Sequence, residues 1–258
     1  MKRNLYFKTC IRRENVLKSI LVDNLLGLTS WPRLILEVFI RRNFGQRYFS
    51  LTSAMTVAVL MLLFPIIFHR ATSYGGDNGN FWSNYTTWYL FQLGFLFFAW
   101  QRWQEVKHKP SMFDFSKYSL YAGDINRAFH NVRIAGKNPS IRTIETLLEP
   151  ALFFALGLVL MLIGQKIGVL LLVCSILYSL GYRGAYLKGD NFIMDKIDEI
   201  IMNEEMINVF VNDMDAAYAR GVRFYMEKPT TKELRKKVTD AFTKDDRNAS
   251  DDGETMAA

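Results

Sequence analysis

Cysteine and histidine are scarce in this chain, which has two cysteines and three histidines among its 258 residues. Cys10 lies in a basic N-terminal stretch and Cys174 in the middle of an apolar run, so we expect no disulfide between them. His69, His108 and His130 are not spaced as metal ligands, and neither cysteine lies near them in the sequence. We therefore expect neither a metal site nor a disulfide framework.

Sequence motifs for catalysis and nucleotide binding are also missing. The chain has no glycine-rich phosphate loop and no serine-nucleophile motif. Ion-coupled transporters usually need ionisable groups within the membrane. The first two apolar blocks of this chain, residues 51–68 and 82–100, carry no charged residue, which disfavours a proton or sodium symporter. We predict a non-enzymatic protein with no catalytic residue, no cofactor and no metal, and we do not expect it to bind nucleic acid.

The chain has instead an abundance of hydrophobic residues, half of the total, and they are gathered into blocks. Four blocks cover residues 51–68, 82–100, 150–164 and 167–182. A helix needs about 20 apolar residues to cross a bilayer, and the last two blocks are somewhat short. They predict a hairpin with a tight turn at Gly164–Gly168, which either spans fully or enters and leaves from one face. Interfacial positions are expected for Trp82, Trp88, Trp100 and Trp103.

Basic residues alternate between the segments that flank these blocks. Residues 1–50 carry ten and residues 101–149 carry eight, whereas residues 71–80 carry none and the turn at 165–166 carries one. Cytoplasmic segments of membrane proteins are enriched in Lys and Arg. The pattern predicts an all-α integral membrane protein with four transmembrane helices in two hairpins and both termini in the cytoplasm. We expect it in the inner membrane of a bacterium.

The same pattern divides the chain into six regions. We predict two transmembrane hairpins, 51–100 and 150–182, separated by a cytoplasmic loop, 101–149. The other regions are a basic N-terminal region with amphipathic helices (1–50), a cytoplasmic helical region (183–243) and a disordered tail (244–258).

Residues 33–44 form an amphipathic stretch in which apolar side chains alternate with arginines at helical spacing. One hypothesis is a helix in the membrane interface, with its arginines among the lipid phosphates. The other is a cytoplasmic helix packed on the protein itself. The candidate membrane-surface contacts are Arg33, Arg41, Arg42 and Arg47.

The region after the last block carries a heptad pattern. Apolar residues recur at alternating intervals of four and three, with Glu204 at one position, which is typical of a coiled coil. Acidic flanking residues disfavour parallel self-pairing and favour an antiparallel or basic partner. The alternative is an amphipathic helix docked on its own cytoplasmic neighbours. The candidate seam is Ile193, Ile197, Ile200, Ile207, Val211, Met214 and Tyr218.

These features favour a membrane subunit that acts as a scaffold or assembly component of a larger cell-envelope complex, of the secretion or transfer type. Its partners would be the lipid bilayer and either other membrane subunits or further copies of itself. A homo-oligomeric channel is the second hypothesis, because oligomeric pores do not require charged linings. A membrane enzyme with an unrecognised site is the third.

Overall fold

The computed structural model of the protein describes residues 16–73, 81–107, 120–133, 136 and 138–241. Across these residues the structure is helical and contains no strand, apart from an isolated bridge between Arg42 and Asp124. The chain divides into two compact units, Ile20–Tyr186 and a second that includes the described residues 187–241. The predicted all-α class is confirmed.

Seven α-helices, numbered in chain order, make up the described structure. They are α1 Val16–Ile40, α2 Leu51–Ser73, α3 Phe81–Val106, α4 Arg127–His130, α5 Ile141–Leu162, α6 Ile167–Phe210 and α7, residues 232–241. A π-helical turn, Ile144–Leu148, lies inside α5. The four predicted apolar blocks coincide with α2, α3, α5 and the first part of α6. Of these helices, α5 and α6 are long and apolar enough to cross a membrane, and Leu51–Ile67 is a shorter apolar helix.

The predicted turn between the last two blocks is formed by Gly164, whose φ of +85° lies in the left-handed region. The amide of Gly164 donates to the carbonyl of Met161 at 2.9 Å, and that of Gln165 to Leu160 at 2.9 Å. This is the hydrogen-bond pattern that commonly ends a helix at glycine. Below the turn, a Cβ on Gly168 would come within 2.5 Å of the Gly157 carbonyl oxygen. Glycine therefore permits the close approach of α5 and α6.

Pro65 interrupts the hydrogen bonding of α2, because proline has no amide hydrogen to donate to the residue four positions earlier. That residue is Met61, and its carbonyl accepts a 2.8 Å hydrogen bond from Trp88 Nε1 on α3. Trp88 is 2% exposed, so its indole faces the helix pair and not the outside, which a side chain of an interfacial belt would face. The indole is held inside the helix pair because it supplies the donor that Pro65 lacks.

Pro150 has the same effect in α5. Its missing amide leaves the carbonyl of Thr146 without its usual donor, and Ser179 Oγ on α6 donates to that carbonyl at 2.6 Å. The π-helical turn ends immediately before Glu149 and Pro150. Both helix interruptions are thus stabilised by a side chain from the neighbouring helix. Interhelical bonds of this kind satisfy backbone groups where water is absent.

Helix α1 includes most of the predicted amphipathic stretch 33–44 and ends at Ile40. Ile35, Leu36 and Val38 are buried in the main hydrophobic core of the first unit. Phe39 adds aromatic contacts, with its ring centroid 4.9 Å from that of Phe91 on α3. The apolar face of residues 33–44 is therefore packed on the protein itself, as the second hypothesis for this stretch expects.

Part of the predicted cytoplasmic loop pairs with the segment that follows α1. The amide of Asp124 donates to the carbonyl of Arg42 at 2.7 Å, and that of Gly45 to Tyr121 at 2.9 Å. Gly123, with a φ of +86°, lies so close to the Arg42 carbonyl that a Cβ would come within 2.8 Å of it. A hydrogen bond from Tyr121 to the Asp124 carboxylate raises the pKa of the phenol to about 12.

In the second unit, α6 ends at Phe210, so the predicted seam does not continue as a helix through Val211, Met214 and Tyr218. The chain turns at Asp213, whose φ is +55°, and the Asp215 carboxylate then caps a short 3₁₀ turn, Ala216–Tyr218. Asparagine and aspartate compete with helical bonding in this way, and the heptad pattern overlooks it. The buried cluster of this unit is formed by Met202, Met206, Val209 and Phe210.

Candidate functional site: a buried network of arginine, glutamate and tyrosine

Three parts of the first unit each contribute polar side chains spaced four residues apart, which places them on one side of a helix. Arg33 and Glu37 lie on α1 and Arg41 directly follows it, whereas Glu145 and Glu149 lie on α5. Tyrosines come from α6 and from the segment before α2. The polar network consists of Arg33, Glu37, Arg41, Tyr48, Glu145, Glu149, Tyr178, Tyr182 and Tyr186.

Arg41 is the centre of this network, and its exposed fraction is 0%. Its guanidinium binds Glu149 with two hydrogen bonds, from Nη2 at 2.5 Å and from Nε at 3.2 Å. Nη2 also lies 3.1 Å from Glu145 Oε1, and Nη1 donates to the phenol oxygen of Tyr182 at 2.6 Å. One side chain thereby ties the end of α1 to α5 and α6.

Glu37 and Glu149 are both fully buried, and the carboxylate of each accepts three hydrogen bonds. Glu37 accepts from Arg33 Nε at 3.2 Å, from Tyr48 at 2.6 Å and from Tyr182 at 2.7 Å. Glu149 accepts the two bonds from Arg41 and one from Tyr178 at 2.5 Å. Three hydrogen bonds to one carboxylate offset much of the free energy that its loss of hydration costs.

The arginines of the network stay charged. Burial alone would lower the pKa of the Arg33 guanidinium, but Glu37 and Tyr48 outweigh it and hold that pKa above its ordinary value. Burial also opposes the charge of Arg41, but Tyr178 and the other polar neighbours outweigh it and hold that pKa above its ordinary value. Burial, followed by the charge of Glu37, raises the pKa of Tyr48, so that phenol remains a hydrogen-bond donor.

Two of the four predicted membrane-surface arginines are therefore misplaced by the sequence argument. Arg41 is buried, and the Arg33 side chain is only 13% exposed and pairs with Glu37. Arg33 points inward because Glu37 lies one helical turn away, and Arg41 because Glu149 of α5 is its partner. Arg42 and Arg47 are exposed, and their contact with a membrane surface stays a prediction.

Glu145 and Glu149 were not predicted as site residues, because the third apolar block of the sequence covers only residues 150–164. Helix α5 begins at Ile141, capped by Ser140, so both glutamates fall within the apolar helix Ile141–Leu162. The sequence does carry a signal for the network, because its polar residues recur every four positions in each of three segments, 33–41, 145–149 and 178–186. Such spacing on several helices predicts that their polar faces meet.

The contacts of the network hold its side chains in fixed positions. Its two buried carboxylates are engaged by charged or phenolic donors, and no cluster of three metal-ligating side chains is found in the described part of the chain. The arrangement can fix the register of α1 against α5 and α6.

The seam residues that remain on α6 behave differently from this buried network. Ile193, Ile197 and Ile200 are exposed, with exposed fractions of 57%, 49% and 56%, whereas Ile207 is partly buried. Val211 and Tyr218 are exposed beyond the end of the helix, and Met214 packs on the buried methionine cluster. The structure therefore brings the first three isoleucines together on an uncovered helix face.

Comparison with known proteins gives no match to a protein-family model, a curated protein or a solved structure.

Proposed function

We propose that the chain is a non-enzymatic, multi-span membrane subunit that anchors and holds together a larger cell-envelope assembly. The bilayer part would be the four helices α2, α3, α5 and the first part of α6, with both chain ends in the cytoplasm. Large exposed apolar side chains on each of these helices support this assignment, since soluble monomers rarely expose large continuous apolar patches. They include Leu60, Ile67, Leu90, Leu93, Phe97, Leu156, Val159, Val169, Val173 and Ile176.

The interior of the first unit also suits a lipid environment. Carbonyls freed by Pro65 and Pro150 are satisfied by neighbouring helices, and the buried charges pair with one another. Both features are expected where no water is available to solvate a polar group. A bundle locked in this way would form a rigid anchor for the cytoplasmic part of the chain.

The observation that carries the scaffold function is the exposed row of Ile193, Ile197 and Ile200 on α6. The stretch 187–210 around this row has six acidic and two basic residues, a net charge of −4, in a chain whose total is +7. Two copies of this stretch would repel each other, whereas a basic amphipathic helix would complement both its charge and its apolar row. We therefore propose that a partner subunit with such a helix binds here.

Site-specific photo-crosslinking in intact cells tests the scaffold proposal. A benzoylphenylalanine residue would replace Ile197, and a matched control would replace Asn191, which is exposed on the opposite side of the same helix. We expect a discrete adduct from position 197 that is absent at position 191. The substitutions Ile193→Asp and Ile200→Asp should abolish it while the amount of protein in the membrane stays unchanged.

The mass of the crosslinked product separates the hypotheses. A heterologous adduct whose peptides come from a basic helix supports the scaffold function. An adduct of twice the chain mass supports self-assembly, and conductance of the purified oligomer in lipid bilayers would then favour a channel. If positions 191 and 197 give the same weak pattern, α6 offers no partner surface and the proposal fails.

A further inference from the structure

The outer face of α1 carries a row of exposed apolar side chains that the proposed function does not use. Ile20, Leu21, Leu28 and Trp31 are exposed, with fractions between 45% and 66%. Their spacing places them along one side of the helix. The opposite side, represented by Thr29, is buried against the bundle. Helix α1 therefore has one apolar face packed on protein and a second, exposed face that is apolar except for Asn24.

The contacts of α1 indicate that it crosses the other helices instead of running beside one of them. Near the middle of α1, Thr29 contacts Gly181 of α6. A Cβ added to Gly181 would come within 2.7 Å of Thr29 Oγ1. Ten residues later, Phe39 packs against aromatic side chains of α3, including Phe91 and Phe95. A helix that bridges two proposed spans in this way would lie at an angle to them, close to the membrane plane.

The distribution of charge around the exposed row fits a bilayer interface. The row itself carries no charge, and the polar residues Asp23 and Ser30 lie on a neighbouring edge of the helix. Arg42 and Arg47 are exposed just after α1 ends. Tryptophan and arginine are favoured where acyl chains meet anionic headgroups.

We infer that α1 is an in-plane interfacial helix whose row of Ile20, Leu21, Leu28 and Trp31 contacts lipid acyl chains. The inference rests on the proposed membrane location of the bundle. Lipid is the occupant because the row is exposed and apolar, as are the outer faces of α2 and α3, while the exposed polar residues Asp23 and Ser30 lie on another edge of the helix. The apolar side chains of residues 33–44, which the first of the two hypotheses placed in lipid, are packed in the protein core.

Spin-label accessibility in nanodiscs of phosphatidylcholine and phosphatidylglycerol tests this inference. The background would be Cys10→Ser, and Cys174 would stay because it is buried. Labels would be attached at Leu28→Cys on the row, at Ser30→Cys on the polar edge and at Leu93→Cys on α3. We expect the label at 28 to collide several-fold more often with oxygen than with nickel-EDDA, and the label at 30 to show the reverse preference.

The label at position 93 separates this inference from the membrane proposal. Nickel exposure at 28, with oxygen preference at 93, would overturn the interfacial helix and leave the spans intact. Nickel exposure at 93 would overturn the membrane proposal itself. Low collision rates with both reagents at 28 would mean that protein covers the row, in which case lipid is the wrong occupant.

Discussion

The two units of the molecule each contain an arginine–carboxylate cluster, and the two clusters differ chiefly in burial. In the first unit, Arg41 and Glu149 are both 0% exposed. In the second, Arg235 binds Asp213, whose side chain is 45% exposed, and Lys228 and Lys232 lie 3.9 and 3.6 Å from the same carboxylate. Both clusters pair an arginine with a carboxylate, so the comparison shows how much burial matters for such a pair.

Burial decides what each cluster contributes. Exposed ion pairs contribute little to stability, because water and salt screen them. A buried pair must compensate for lost hydration, and removing one partner leaves an isolated charge in an apolar interior. The buried network is therefore where substitutions should be severe, and the Asp213 cluster is where they should be mild.

Glu149→Gln should have the largest effect. It leaves the buried charge of Arg41 without its two-bond partner, and losses of this kind cost about 3–5 kcal/mol. Unfolding in mixed micelles, followed by circular dichroism, measures the change. Glu204→Gln is the matched control, because Glu204 is exposed on α6. A loss below about 1 kcal/mol, the range of exposed pairs, would contradict the importance of burial.

Arg41→Met combined with Glu149→Met should be milder than the sum of the two single substitutions. The double variant removes both charges together, and apolar replacements of buried pairs are often close to neutral. We expect a coupling free energy of about 1–3 kcal/mol from the double-mutant cycle. Strict additivity of the two single losses would mean that the two side chains do not act as a pair.

Trp88→Phe should cost about 1–3 kcal/mol, since it leaves the Met61 carbonyl buried without its donor. Trp82→Phe, at an exposed tryptophan on the same helix, should have little effect. Pro65→Ala restores the backbone amide, so the cost of Trp88→Phe should shrink in that background. An equal cost in both backgrounds would show that the proline and the indole are not linked.

Asp213→Asn should have the smallest effect on global unfolding. A hydrogen bond from Arg235 lowers the pKa of the Asp213 carboxyl. Its contribution is thus present above the unfolded-state pKa of about 3.9 and is lost as the pH falls through the folded-state value. Protection against hydrogen exchange near the end of α6, corrected for the pH dependence of the intrinsic exchange rate, should fall below about pH 4 in the wild type and stay constant there in the variant. An equally strong acid response in both proteins would assign the effect elsewhere.

The sequence predicted the helices well because apolar blocks and glycine turns are local signals. The positions of α2, α3, α5 and the Gly164 turn follow from residues close together in the chain. Arg41 and Glu149 are 108 positions apart, so no local pattern could pair them. The helix end at Phe210 was missed for another reason: the heptad pattern counts apolar residues but ignores the turn chemistry of Asn212 and Asp213.

The most direct test of the proposed architecture asks whether α2 and α3 cross the bilayer. Helix α3 is the proposed span that is rich in tyrosine and tryptophan, and it is not among the helices that are apolar enough by composition alone to span a membrane. Asn78→Cys, between α2 and α3, and Asn212→Cys, after α6, would each be placed in a Cys10→Ser background and treated with a membrane-impermeant maleimide. We expect labelling of position 78 in intact spheroplasts and of position 212 only after permeabilisation. If both positions react only after permeabilisation, α2 and α3 do not cross the membrane and the four-span architecture is wrong.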